Sequence, residues 1–246
     1  MIHVRRPPAN KTLPLTVRAT MATRQKAMAQ LGRGHPDIDR VWKNFRKTTV
    51  GELLADKLRA LFRWKCAYCE RVVTAGAIDH FYPKNQYPKR MFSWGNLLLC
   101  CMECNHAKGK TFHFLNGRPC FLDPTRDQPR ECYLWDLQTG GMAPVPVAEH
   151  EERANFTRDE LGLDADSLRI ERAERVQNII YFLLDVVKES PITDATKIKL
   201  RKSLTVELPY LGILDYLFHV PNHFTLLVDA ARAKLPEIDT WLAAWA

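Results

Sequence analysis

The chain has 246 residues, 46% of them hydrophobic, and a formal net charge of +8. That is enough apolar material to bury a core as one or two domains, and too much for an intrinsically disordered chain. No apolar run approaches the roughly 20 residues that span a bilayer, and the opening MIHVRRPPANK lacks the apolar stretch of a signal peptide. The expectation is a cytoplasmic protein with no membrane partner, whose basic balance suits a polyanion, most commonly nucleic acid.

In chain order, residues 1–15 read as an extended arm interrupted by Pro and basic residues, with a short strand at Ile2 to Val4. A helix is predicted from about Thr16 to Leu31, ended by Gly32, Gly34 and Pro36. Another opens after Thr48 or Thr49, where Leu53, Leu54, Leu58, Leu61 and Phe62 fall at three- and four-residue spacing and predict one buried stripe. The stripe runs directly into Trp64 and Cys66, so the segment that begins there should dock on a helical support.

The segment from Cys66 to Lys110 carries the most chemistry. Seven Cys in a chain read as intracellular argue for metal rather than disulfides, and four of them form two Cys-x-x-Cys clips, Cys66/Cys69 and Cys101/Cys104. Four thiolates so spaced can close a tetrahedral zinc site that ties together segments too short to build a core. Cys100 adjoins the second clip, and a register swap with Cys101 stays open, although only Cys101 keeps two residues between itself and Cys104. Cys100, Cys120 and Cys132 otherwise read as small buried apolar residues.

Between the clips lie Asp79, His80 and Asn96, and Asn105 directly follows the last Cys. These residue types bind a hard cation and activate water. Lys84, Lys89, Arg90, Lys108 and Lys110 surround them, opposed between positions 84 and 110 only by Glu103, so the region can neutralise phosphates. A strand through Ala77 to His80, a return strand at Asn96 to Cys100 and a helix from Cys104 to Lys110 would form a ββα-metal unit. Adjacent strand residues point to opposite faces, so Asp79 and His80 meet on one phosphate only if a bulge or strand end lies between Ile78 and Phe81.

Beyond Lys110 the chain turns irregular, with Pro119, Pro124 and Pro129, then a hairpin YLWDLQTGGMAPV turned by Gly140 and Gly141. From Asp159 onward it is predicted helical. Ile170, Val176, Ile179, Ile180, Leu183, Val186 and Val187 form a broad apolar face, and Pro191, Pro209 and Pro221 punctuate later helices. The aromatic residues Tyr210, Tyr216, Phe218, Phe224, Trp241 and Trp245 read first as core and second as a partner surface.

The order two Cys, Asp-His, Asn, then Cys-x-x-Cys with a following Asn and Lys resembles the HNH endonuclease family, in its branch with a four-Cys zinc knuckle. Asn105 stands in the last slot where His is also used. The resemblance implies that His80 is the general base for the attacking water. It implies that Asp79 and Asn105 hold a catalytic divalent ion, Mg2+ or Mn2+, and that Asn96 pins the loop and orients His80. It also makes Lys84, Lys108 and Lys110 contacts to nucleic acid, with His106 and His113 as supporting or DNA-facing residues at most. The N-terminal pattern, the CAYCE clip, FLDPTRD and LGLDADSLRIERAERV are similar, more loosely, to the HNH protein of Septu and related retron anti-phage systems. That resemblance implies DNA as substrate and an ABC-type ATPase as partner, and leaves a homo-oligomer open.

The expected fold class is α+β, with the ββα-metal module and its structural zinc between mainly helical flanks. The expected divisions are 1–62 for the arm and helical support, 63–118 for the nuclease module, and 119–246 for the hairpin and C-terminal helices. The competing functional reading is a zinc-knuckle module that binds nucleic acid without cutting it; binding alone does not require Asp79 next to His80.

Overall fold

The computed structural model describes all residues except Ile2, Ala75, Lys110, Thr111 and Ala246, and leaves the side chains of Ala148 and Glu149 undescribed. The Ile2 end of the expected first strand and the expected phosphate contact Lys110 therefore lie outside the described residues. The fold is helix-rich with small antiparallel strand pairs. Its contacts divide the chain into two units, one of His3–Tyr68 with Val72–Asp127, the other of Met1–Ile2, Cys69–Arg71 and Gln128–Ala246.

The first unit begins with an arm and a single helical turn, α1 (Ala9–Thr12), followed by α2 (Leu15–Met28), α3 (Asp37–Arg46) and α4 (Thr49–Leu61). The Thr48 hydroxyl accepts from Gly51 N at 3.1 Å and caps α4, as the Thr-Thr pair suggested. Helix α3 is an addition to the elements expected from the sequence. Its signal was present, since Ile38, Trp42 and Phe45 repeat at helical spacing and are all buried. In α4 the expected stripe is narrower: Leu54, Leu58 and Phe62 are buried, whereas Leu53 is exposed.

Strands β1 (Ala77–His80) and β2 (Leu97–Cys100) pair antiparallel and lead into helix α5 (Met102–Lys108). Helix α4 packs on β2, and α5 packs on β1. The four residues of β2 are all buried, so this strand is the floor of the unit's core. From the arm, Arg6 donates to the Trp94 and Leu97 carbonyls at 2.7 Å each, fastening the residues that enter β2. Two further two-residue strands, β3 (Phe114–Leu115) and β4 (Arg118–Pro119), form a small hairpin.

The second unit contains α6 (Pro129–Cys132), the hairpin β5 (Tyr133–Trp135) and β6 (Met142–Pro144), then α7 (Ala148–Glu160) and α8 (Asp166–Lys188). It continues through α9 (Asp194–Ser203), α10 (Leu211–His219), α11 (Thr225–Lys234) and α12 (Glu237–Leu242). Gly140 has φ +70° and a Cβ there would fall 2.0 Å from the Arg169 carbonyl oxygen, so the hairpin turn rests against α8 only because the residue is glycine. Along α8, Val176, Ile179, Leu183 and Val186 are buried, but Ile170 is exposed. Helical structure starts earlier than expected, at Ala148, and of the C-terminal aromatics Tyr210 and Phe218 lie in the core. Among the described residues no helix is long and apolar enough to cross a membrane.

Candidate metal and reaction site

The four thiols of Cys66, Cys69, Cys101 and Cys104 are buried, and their sulfur atoms lie within 4.8 Å of one another. A tetrahedral zinc with Zn–S bonds of about 2.3 Å sets its sulfurs about 3.8 Å apart. The cluster therefore fits such an ion with small adjustments. The Cys101 sulfur caps α5 and accepts from Cys104 N at 3.4 Å, a contact that favours the thiolate a metal requires. Cys100 is not part of this group, although its sulfur lies 3.9 Å from that of Cys66. The group of mutually close sulfurs thus contains Cys101 and not Cys100.

The clips also place the hairpin. Ala67 N donates to the Leu99 carbonyl at 2.8 Å, which pins the first clip to β2. The register of β1 on β2 runs Ala77 with Cys100, Ile78 with Leu99, Asp79 with Leu98 and His80 with Leu97. Of the bulge or strand end expected between Ile78 and Phe81, the structure has the strand end, at His80, and no bulge; the pairing is regular through both Asp79 and His80, because the four apolar residues of β2 are uniformly buried and hold one register.

Successive side chains consequently have different neighbours. Asp79 accepts from the Tyr68 hydroxyl at 2.9 Å and from Lys108 Nζ at 3.1 Å. Lys108 Nζ also donates to the His80 carbonyl at 2.7 Å. His80 instead meets the Trp42 ring edge-on, at 4.4 Å between centroids, and its Nε2 lies 3.0 Å from the Met91 carbonyl. A carbonyl only accepts, so Nε2 carries the proton and Nδ1 holds the free lone pair. Burial pushes the His80 pKa down to about 3, against the opposing pull of the Asp79 charge. The ring is neutral.

Despite their different partners, Asp79 and His80 border one cleft of about 700 Å3, together with Asn105, His106, Lys84, Trp42 and Arg46. The Asn96 side chain is not hydrogen-bonded to His80. Its Oδ1 accepts from Tyr82 N at 2.8 Å, and its Nδ2 donates to the Tyr82 carbonyl at 3.1 Å and the Arg90 carbonyl at 3.0 Å. Gln25 of α2 holds the same loop from the other side, accepting from Phe92 N at 2.7 Å and donating to the Pro88 carbonyl at 3.0 Å. Met91, whose carbonyl fixes His80, sits between these two anchors.

Two expectations about cations change. Lys108 is not an exposed phosphate contact: its side chain is 1% exposed, because an aspartate buried on β1 draws it inward as counterion. Lys84 does border the cleft, and its Nζ is paired with Asp39 at 2.6 Å. Gln25, Trp42 and Arg46 join the site from segments outside the Cys66 to Lys110 run, and Tyr68 joins it from inside the first clip. Of these, Trp42 lay in the α3 repeat and Tyr68 in the clip itself, patterns that could have drawn attention to them. His113 is exposed and outside the cleft lining.

The residues fit a catalytic divalent ion by donor type. Tyr68 on one oxygen and Lys108 on both occupy up to three of the roughly four lone-pair sites of Asp79, which leaves one acceptor site, and Asn105 adds an amide oxygen at the same cleft.

No protein-family profile matches the chain. It is 25% identical over 141 residues to a protein of Vibrio cholerae serotype O1 biovar El Tor named as a candidate HNH endonuclease of retron Vc95, covering 54% of this chain and 68% of that protein. It is 38% identical over 69 residues to the Septu protein PtuB of Bacillus thuringiensis, and 31% identical over 77 residues to that of Bacillus mycoides (strain KBAB4). Each of these two matches spans only 26% of the Septu protein. Over part of its length, then, the chain is similar to a retron HNH endonuclease and to Septu PtuB, and it carries a buried four-Cys cluster able to hold a metal such as zinc.

Proposed function

We propose that this protein is a metal-dependent HNH endonuclease that hydrolyses phosphodiester bonds of DNA and serves in anti-phage defence beside an ABC-type ATPase. The observation that carries the reading is the shared cleft, bordered by a neutral histidine, a carboxylate and the asparagine that directly follows the last residue of a four-Cys cluster. The similarity to a retron HNH endonuclease and to Septu PtuB supports both the chemistry and the defence role.

In this reading His80 takes the proton of the attacking water on Nδ1, while Nε2–H stays bonded to the Met91 carbonyl and keeps the ring in place. A phosphate entering the cleft raises the basicity of the buried ring, since a nearby negative charge favours imidazolium. Asp79 and Asn105 would hold a Mg2+ or Mn2+ ion, which when bound supplies charge stabilisation at the leaving 3′ oxygen. Lys108 positions Asp79, and Asn96 positions the loop that carries Met91. Cys66, Cys69, Cys101 and Cys104 would hold a zinc ion that ties the hairpin and α5 to each other.

One observation favours a second reading. The regular register through Asp79 and His80 does not turn both side chains toward one atom, which suits a zinc-stabilised module that binds nucleic acid without cutting it. Plasmid incubated with the protein and Mn2+, then with Asp79→Ala, separates the two. Nicking that disappears in the variant supports the nuclease; retained plasmid binding without nicking by any form, in the presence of co-purified partner, supports the binding module.

A further inference from the structure

We propose that the reaction cleft continues into a track for a single strand, in which Arg46 takes a backbone phosphate beside the reacting centre and the Arg59–Trp64 pair stacks an unpaired base. This names the substrate class of the site above, a nucleic-acid strand unpaired next to the scissile phosphate, and it rests on the nuclease reading.

A second groove of about 150 Å3 adjoins the cleft and shares Arg46, Gly76 and Ile78 with it. Arg46 stands where the two meet. Its neighbours are committed elsewhere: Lys84 to Asp39, Lys108 to Asp79, and one nitrogen of Arg59 to Asp56. The Arg46 guanidinium has no ion pair or hydrogen bond among the described residues, and it is exposed. A free arginine at a cleft that also holds a carboxylate and a neutral histidine is placed to receive an anion.

At the far end of the smaller groove is Arg59, whose guanidinium lies 5.3 Å over the ring of Trp64. Trp64 is 49% exposed, and both it and Arg63 have left-handed backbone, with φ of 57° and 51°. That conformation disfavours bulky side chains, and about half of the indole remains in contact with solvent. Packing against Arg59 covers one part of the ring and leaves the other part open to a partner. An indole backed by a guanidinium is a good stacking surface for a base. A base inside a duplex is already stacked on both faces, so only an unpaired one can use it.

Glu52 also lines the smaller groove. Its carboxylate keeps phosphates away from the middle of the track and leaves them to the arginines at the two ends.

The test uses the full chain, zinc-loaded, with His80→Ala to suppress cutting, and reads binding by anisotropy with labelled oligo-dT, oligo-rU and a hairpin duplex. The single strands are expected to bind more tightly than the duplex, and the better of dT and rU identifies DNA or RNA. Adding Trp64→Ala should weaken single-strand binding about tenfold and leave duplex binding unchanged, whereas Trp64→Phe should keep most of it. Adding Arg46→Ala should lower the slope of log affinity against log salt by about 0.7, the signature of one lost phosphate contact on a single strand. Zinc content and melting temperature confirm that each variant is folded. No binding of either single strand, equal binding of strand and duplex, or binding indifferent to both substitutions overturns the track. None of these readouts requires cleavage, so the failure of the nuclease reading, seen in the plasmid assay, remains separate.

Discussion

Lys108 Nζ lies 3.1 Å from both carboxylate oxygens of Asp79, and the two side chains are only 1% and 8% exposed. A charge pair this deeply placed is costly to break, because removing one member strands the other in a medium that solvates it poorly. Lys108→Ala should therefore destabilise the protein by about 3–5 kcal/mol. Lys108→Met combined with Asp79→Asn should recover much of that loss, since the amide needs no counterion. Chemical denaturation of the wild type and the two variants checks this, and a double variant no more stable than Lys108→Ala would contradict the pairing.

Asn96 and Gln25 hold the loop whose Met91 carbonyl orients His80. Asn96→Ala loses three part-buried hydrogen bonds and should cost about 1–3 kcal/mol. Gln25→Ala, which loses two, should cost less. Both should lower kcat more than they raise KM if His80 acts in the chemical step, as proposed, and not in holding substrate. Steady-state kinetics on a fluorogenic substrate, with the folded fraction of each variant measured alongside, distinguishes this from a general loss of folded protein, which would lower the apparent enzyme concentration and leave KM unchanged.

The cluster of Cys66, Cys69, Cys101 and Cys104 should carry one zinc per chain, and Cys69→Ser or Cys104→Ser should remove it. Structural zinc contributes on the order of 10 kcal/mol in small fingers, so either substitution, or a strong chelator, should collapse the hairpin region. Cys100→Ser should retain the metal, because Cys100 lies beside the group and not in it. Metal content of the purified variants decides the assignment; zinc lost from Cys100→Ser and kept by Cys104→Ser would reverse it.

Burial holds the His80 pKa near 3, below the ordinary 6.5. Below 6.5 the unfolded chain takes up a proton that the folded one refuses, so the unfolded state gains as pH falls. The stability associated with neutral His80 is fully present above 6.5 and is lost progressively as pH drops toward 3. His80→Asn should flatten the stability profile in that window. Denaturant midpoints measured from neutral to acid pH for both proteins check the difference.

Much of the site could be read from the chain because it is local. The two clips, the Asp-His pair and the Asn before β2 lie within one short run, and spacing alone brings them to one hairpin and helix. The capped α4 and the Gly140 turn were legible for the same reason: each depends on a few adjacent residues. The hidden part depends on tertiary packing. Lys108 looked like a surface cation until the burial of Asp79 gave it a partner. Gln25 is 66 positions before Met91 and sits in a helix with little amphipathic contrast, so nothing in its neighbourhood marks it. The regular strand up to His80 is set by the four buried residues opposite it, and alternation of residue types could not show which of the two expected departures, a bulge or a strand end, would occur.

The most direct measurement compares supercoiled plasmid treated with the zinc-loaded wild type and with zinc-loaded His80→Ala, each with its co-purified partner and Mn2+. Nicked and linear DNA are expected from the wild type, with at least about a hundredfold less from the variant, as for loss of a general base. Equal cleavage by the two proteins, at equal zinc content, would contradict the role given to His80.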